Sequence, residues 1–180
     1  MAPSGIVVGQ LSVSSITEGV HSGDASGVIP DSFRIARQLL SRIEDPNTGE
    51  ILVPEVNCPI PDQRLAQTKL AASILKTKIY KDFPFREGAQ PTRKDEMYEL
   101  ALNRTWRPTL TVTGASGLPS LAQAGNVLRP NTTLNLSIRI PPNVDPKVAQ
   151  AAVRANLRKP STLLGTGFRE LVRFTLPRPM

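Results

Sequence analysis

The stretch Asn131–Ile140, NTTLNLSIRI, alternates without a break, with Leu134, Leu136, Ile138 and Ile140 on one side and Thr133, Asn135, Ser137 and Arg139 on the other. A period of two fits an extended strand with one buried and one wet face, because successive strand side chains point to opposite sides. Sheets wet on one side are characteristically antiparallel, with helices stacked on the apolar side. Arg107–Gly114, RPTLTVTG, repeats the pattern: Leu110 and Val112 oppose Thr109, Thr111 and Thr113. Ile6–Val13 sets Val7, Leu11 and Val13 against Gln10 and Ser12, and Gly167–Leu176, GFRELVRFTL, reads as a last strand.

Two amphipathic helices separate these strands. Asp31 is placed to cap the first, where Phe33, Ala36, Leu39, Leu40 and Ile43 recur at helical spacing opposite Arg34, Arg37, Gln38 and Arg42, and the turn residues DPNTGE end it. Asp145 and Pro146 open the second, with Val148, Ala149, Ala152, Val153 and Leu157 apolar and Gln150, Arg154 and Arg158 polar. Residues 54–104 differ in composition. They begin Pro-rich (PEVNCPIPD) and hold two polar helical segments, about 62–78 and 92–103, the second with Thr92 and Asp95 as a weak capping box. This segment reads as a helical insertion. Without it the order is strand, helix, strand, strand, helix, strand, which predicts an α+β, ferredoxin-like split βαβ fold. In that fold a four-stranded antiparallel sheet carries both helices on one face, here within a single domain spanning 1–180.

Charge and rare residues narrow the chemistry. The net charge of +7 and pI near 10.1 permit a polyanionic or acidic partner, yet the 22 basic residues are scattered over helices and form no block, as solvated helical faces would require. No apolar run is long enough to span a bilayer and the N-terminus lacks a secretory pattern, so the expectation is a soluble, cytoplasmic protein without a signal peptide. One histidine, His21, and one cysteine, Cys58, cannot make a zinc centre, and Cys58 has neither a disulfide partner nor a base in its own segment. His21, Ser22 and Asp24 are adjacent in sequence and cannot generally adopt the geometry of a catalytic triad. The Gly-rich run Thr113–Gly125 lacks both phosphate-binding signatures and reads as a surface loop. RNA-recognition domains share the strand order, but the expected central strands carry no aromatic for base stacking, which counts against nucleic acid.

Several segments together, ITEGVHSG at Ile16–Gly23, VIPDSFRIARQLL behind it, RPTLTVTGASG, GNVLRP and LSIRIPPNVDPKVA, resemble the lid or dimerisation domain of the M20 family of zinc metallopeptidases. That family includes carnosinase-like dipeptidases, aminoacylases and desuccinylases. The resemblance spans most of the chain and fades across 54–104. It implies a homodimer formed through the helix at 31–43 and a sheet edge, with zinc held in a separate catalytic domain that this sequence does not contain. The chain alone would then not hydrolyse an amide. His21 is similar to the lid histidine that reaches into the partner subunit's site and steadies the oxyanion when water attacks the amide of a peptide or N-acyl amino acid. Asn126 is similar to an asparagine that contacts the substrate carbonyl, although here the proline of the following run is displaced by one position to Pro130. Arg139 is similar to an arginine that binds the substrate carboxylate. Plainer roles stay open at this point: His21 as a turn residue, Asn126 as turn support, Arg139 paired with a surface acid, and the whole chain as a ferredoxin-like module binding RNA or a protein.

Overall fold

The computed structural model describes residues 5–160 and 171–175. In chain order the elements are β1 (Gly5–Ser14), β2 (Val20–His21), α1 (Ser22–Ala25), α2 (Ser32–Leu40), α3 (Asp62–Leu75), α4 (Lys78–Lys81), α5 (Met97–Thr105), β3 (Thr109–Ser116), β4 (Val127–Leu128), β5 (Asn131–Ile140), α6 (Pro146–Leu157) and β6 (Val172–Thr175). The main sheet runs β3-β5-β1-β6 with antiparallel neighbours throughout. This is the split βαβ arrangement expected from the alternating segments, and α2 and α6 both pack on it.

Register explains which face is dry. Val7 lies opposite Ile138, Leu11 opposite Leu134 and, on the other flank, opposite Phe174, so one face gathers most of the apolar positions, with Ile6 and Val8 left on the other. Ile35, Ala36 and Leu39 of α2 and Ala149, Val153 and Leu157 of α6 close over that face and are buried. Hydrophobic burial at about 25 cal/mol per Å² holds the two layers together. Gly9 sits in the middle of this face, where the Phe174 ring lies over it so closely that a Cβ at position 9 would overlap the ring. Two capping carboxylates set the helix starts: Asp31 accepts from the Arg34 amide at 2.8 Å, and Asp145 from the Lys147 amide at 2.7 Å. A fully buried hydroxyl pair, Ser32 and Thr132 at 2.9 Å, pins the first residue of α2 to β5. Arg42 pins the other end, donating to the carbonyls of Lys159 at 2.6 Å and Pro160 at 3.3 Å just past α6.

Several local expectations shift. Helix α2 stops at Leu40, although Ile43 remains fully buried in the turn that follows. The helix expected over 92–103 begins at Met97, not Thr92, and no side chain caps it, because residues 92–95 are already committed to turns. Val148 is 53% exposed, since the buried stripe of α6 follows Ala149, Val153 and Leu157. In strand β3 the pairing skips between Val112 and Gly114, a bulge that extends the strand to Ser116 into the run expected as loop. Of the expected last strand, Val172–Thr175 is observed, and 167–170 and Leu176 lie outside the described residues. Helices α3, α4 and α5 pack on one another, burying Ala72, Ile79 and Leu102. Val56, near the start of the 54–104 segment, instead joins the main core beside Val53.

Candidate functional site

Beyond the Ser14 end of β1, the chain forms a feature too short to show any period: β2 pairs with β4, His21 opposite Val127 and Val20 opposite Leu128. The Ser22 amide donates to the Asn126 carbonyl at 2.9 Å, so the backbones of His21 and Asn126 meet although they lie far apart in sequence. Gly19 permits this approach, because a Cβ there would lie 2.8 Å from a methyl of Val127. The strand pair is held by Leu128, which is buried, and by the Ser32 hydroxyl, which donates to the Arg129 carbonyl at 3.3 Å.

His21 has a defined local geometry. It caps α1, its Nδ1 accepting from the Gly23 amide at 3.2 Å, and the Asp24 carboxylate lies 3.6 Å from the same nitrogen. Its side chain is 63% exposed. Asn126 is also exposed.

Arg139 sits apart from both. It lies near the far end of β5, on the wet face, between Ile6 of β1 and Thr109 of β3. Asn131 and Arg139 are eight steps apart on one strand, roughly 26 Å at about 3.3 Å per residue. Among the described residues Arg139 is exposed and makes no ion pair, and the wet face of the sheet carries Arg139 and Arg173 but no carboxylate. Strands β1, β3 and β5 hold no aromatic residue, so a base-stacking platform is missing from them.

Other candidate chemistry is weak. No group of three or more His, Cys, Asp or Glu among the described residues could hold a metal ion, and none of their helices is long and apolar enough to cross a membrane. Burial pushes the Cys58 thiol up from its ordinary value, with the Asn143 amide partly opposing the shift, so it is a poor nucleophile.

The peptidase dimerisation domain of the M20 group is the family whose model matches, over residues 7–162. Among solved structures the chain is similar to the dipeptidase Dug1p from Saccharomyces cerevisiae, with 20% identity, TM-score 0.63, and coverage of 94% of this chain and 34% of that one. It is similar to the M20 family metallo-carboxypeptidase Sso-CP2 from Sulfolobus solfataricus at 16% identity and TM-score 0.64, covering 95% of this chain and 42% of that one. Human carnosine dipeptidase 1 gives 19% identity and TM-score 0.61, with 85% of this chain and 32% of that one covered. The chain thus spans between 32% and 42% of the length of these structures. No match was found among curated proteins.

Proposed function

The chain belongs to the family of M20 peptidase dimerisation domains, and from that premise we propose that it serves as the lid of a zinc-dependent peptidase or amidohydrolase of the cytoplasm. In this reading it pairs with a second copy and lends polar side chains to active sites whose metal is held by another domain. Among the described residues no cluster of ligands fits a zinc centre, and in this reading the metal is held by the other domain.

The observation that carries the reading is the β2/β4 pairing, which brings His21 and Asn126 together, exposed and away from the core. A polar donor at that point suits a carbonyl oxygen that gathers negative charge as an amide is attacked. A preplaced donor at such an oxygen is worth about 3 to 4 kcal/mol, because it strengthens as the charge develops. Arg139 suits the carboxylate of a peptide or N-acyl amino acid, for a guanidinium presents two parallel donors to it and the face around it holds no competing acid.

Distance supports action across a dimer. A dipeptide is far shorter than the roughly 26 Å of strand between Asn131, which follows the β4 segment, and Arg139, so in this reading a site using both groups draws them from different copies. The strand β3 offers the means to pair. It is an edge strand of eight residues, Thr109–Ser116, without a single charge, and such an edge invites a partner strand. Helix α2 lies over the neighbouring β1 and β5, with Phe33 and Arg37 stacked on its exposed side at 5.8 Å. An isologous contact would join β3 to its copy and set the two α2 helices alongside.

The test mixes two inactive forms of the enzyme bearing this domain, one carrying His21→Ala and the other a disabled zinc site. If His21 acts in trans, one site of each heterodimer is complete and activity returns. Activity that stays absent despite verified subunit exchange refutes the trans role.

A further inference from the structure

The imidazole of His21 has two neighbours at one nitrogen, and they demand opposite arrangements of its proton. The Gly23 amide, 3.2 Å from Nδ1, needs a lone pair there and so leaves the proton on Nε2. The Asp24 carboxylate, 3.6 Å from the same Nδ1, would instead favour a proton on Nδ1 and a bare Nε2. A neutral ring can satisfy only one of them. The amide is within hydrogen-bonding distance, whereas the carboxylate is beyond it and 89% exposed to water. Room decides the matter further. A Cβ on residue 23 would lie 2.8 Å from His21 Cε1 and 3.0 Å from Nδ1, so the ring can rest against the amide only because residue 23 has no side chain.

We infer that Gly23 is a positioning residue for His21: its amide selects the tautomer with the proton on Nε2, and its bare Cα leaves the ring space to hold that orientation. The outward nitrogen is then a donor and not a base. This deepens the oxyanion role above and rests on it for its use in catalysis, but the tautomer itself is a property of this chain. Asp24 becomes a bystander in the neutral state, despite its resemblance to the aspartate that orients a catalytic histidine through Nδ1.

Because His21 is the only histidine, the ring can be read without overlap in the chain labelled with 15N-histidine. Long-range proton–nitrogen correlation at alkaline pH, where the ring is neutral, gives the ratio of the two tautomers. The folded chain should favour the Nε2 form over the Nδ1 form by about two- to fivefold more than the same chain unfolded in urea, which is the net worth of one exposed hydrogen bond. Gly23→Ala should return the ratio to the unfolded value while amide resonances of β1 and β5 stay in place. Asp24→Asn should leave it unchanged. An identical ratio in the folded and unfolded chains overturns the inference, as does an enrichment that survives Gly23→Ala or disappears in Asp24→Asn. If Gly23→Ala disturbs the fold, the unfolded comparison and the Asp24→Asn variant still decide. Neither substrate nor metal enters the measurement. A peptidase indifferent to His21→Ala would therefore refute the proposed function and leave this result standing.

Discussion

Consider the buried hydroxyl pair that joins α2 to β5. Ser32 and Thr132 are both fully buried, their oxygens are 2.9 Å apart, and the Ser32 hydroxyl also has the Arg129 carbonyl at 3.3 Å. Ser32→Ala removes one partner and strands the Thr132 hydroxyl without water or any other acceptor, a cost of about 1 to 3 kcal/mol. Thr132→Val is different. It keeps the shape, adds a buried methyl worth about 0.8 kcal/mol, and leaves Ser32 able to donate to Arg129, so the net loss should be below about 1 kcal/mol. The double variant orphans neither hydroxyl and should be more stable than Ser32→Ala alone. The cycle should therefore show a coupling of about 1 to 2 kcal/mol, well above the ~0.5 kcal/mol scatter of independent sites. Urea unfolding of the four proteins gives these values from shifts in midpoint at constant slope. In heating experiments, a loss of 2 kcal/mol would lower Tm by about 4 to 8 °C for a chain of this size. Strict additivity, or a double variant less stable than Ser32→Ala, would refute the view that burial without a partner is what makes Ser32→Ala costly.

Three further outcomes follow from the geometry. In the enzyme that carries this domain, His21→Ala should lower kcat about 10² to 10³-fold with little change in KM, and Arg139→Ala should mainly raise KM, because only the first group meets charge that develops during reaction; steady-state kinetics with equal losses in both parameters for both variants would reverse the assignment. The chain should self-associate at high micromolar concentration, and Val112→Lys or Thr111→Pro on strand β3 should shift it to monomer in light scattering; a mass unchanged by either substitution would remove that strand from the interface. Asp45 is held below its ordinary value chiefly by the Thr48 and Asn47 amides that it accepts at 2.9 and 2.8 Å, so its contribution is present above the unfolded value near 4 and is lost as pH falls through the lower, folded one. Asp45→Asn should accordingly flatten the decline of stability on the acid side of about pH 4, and an unchanged acid limb in pH-dependent urea melts would contradict this.

Where a segment's own pattern decided its fate, reading the sequence sufficed. NTTLNLSIRI is a strand from Asn131 to Ile140 because its alternation can be satisfied in one way, and Asp145 with Pro146 starts α6 where a cap and a proline must. Where tertiary contact decided, the sequence was silent. Strands β2 and β4 have two residues each, too few for any period, and exist because Gly19 lets Val127 come close. Thr92 and Asp95 have the spacing of a capping box, but the helix that would need them begins at Met97. For the site, composition singled out His21 as the lone histidine among glycine and serine. That Asn126 meets this turn is a fact of pairing between distant segments, which no local pattern announces.

The contact between Gly9 and Phe174 also limits how this sequence can drift. The two residues share one volume, with the ring supplying the bulk that position 9 lacks, and Phe174 is nearly fully buried in doing so. A larger residue at position 9 is therefore excluded while the phenylalanine remains, and overpacking of this kind costs about 1 to 3 kcal/mol. Shrinking Phe174 first opens a cavity, which costs about as much or more. Each single step descends, while the paired exchange of glycine for a larger residue and phenylalanine for a smaller one restores the volume. Related chains should accordingly divide into two classes, those with glycine facing an aromatic and those with a side chain facing a smaller residue, and mixed pairs should be rare because both one-step routes between the classes cross a valley.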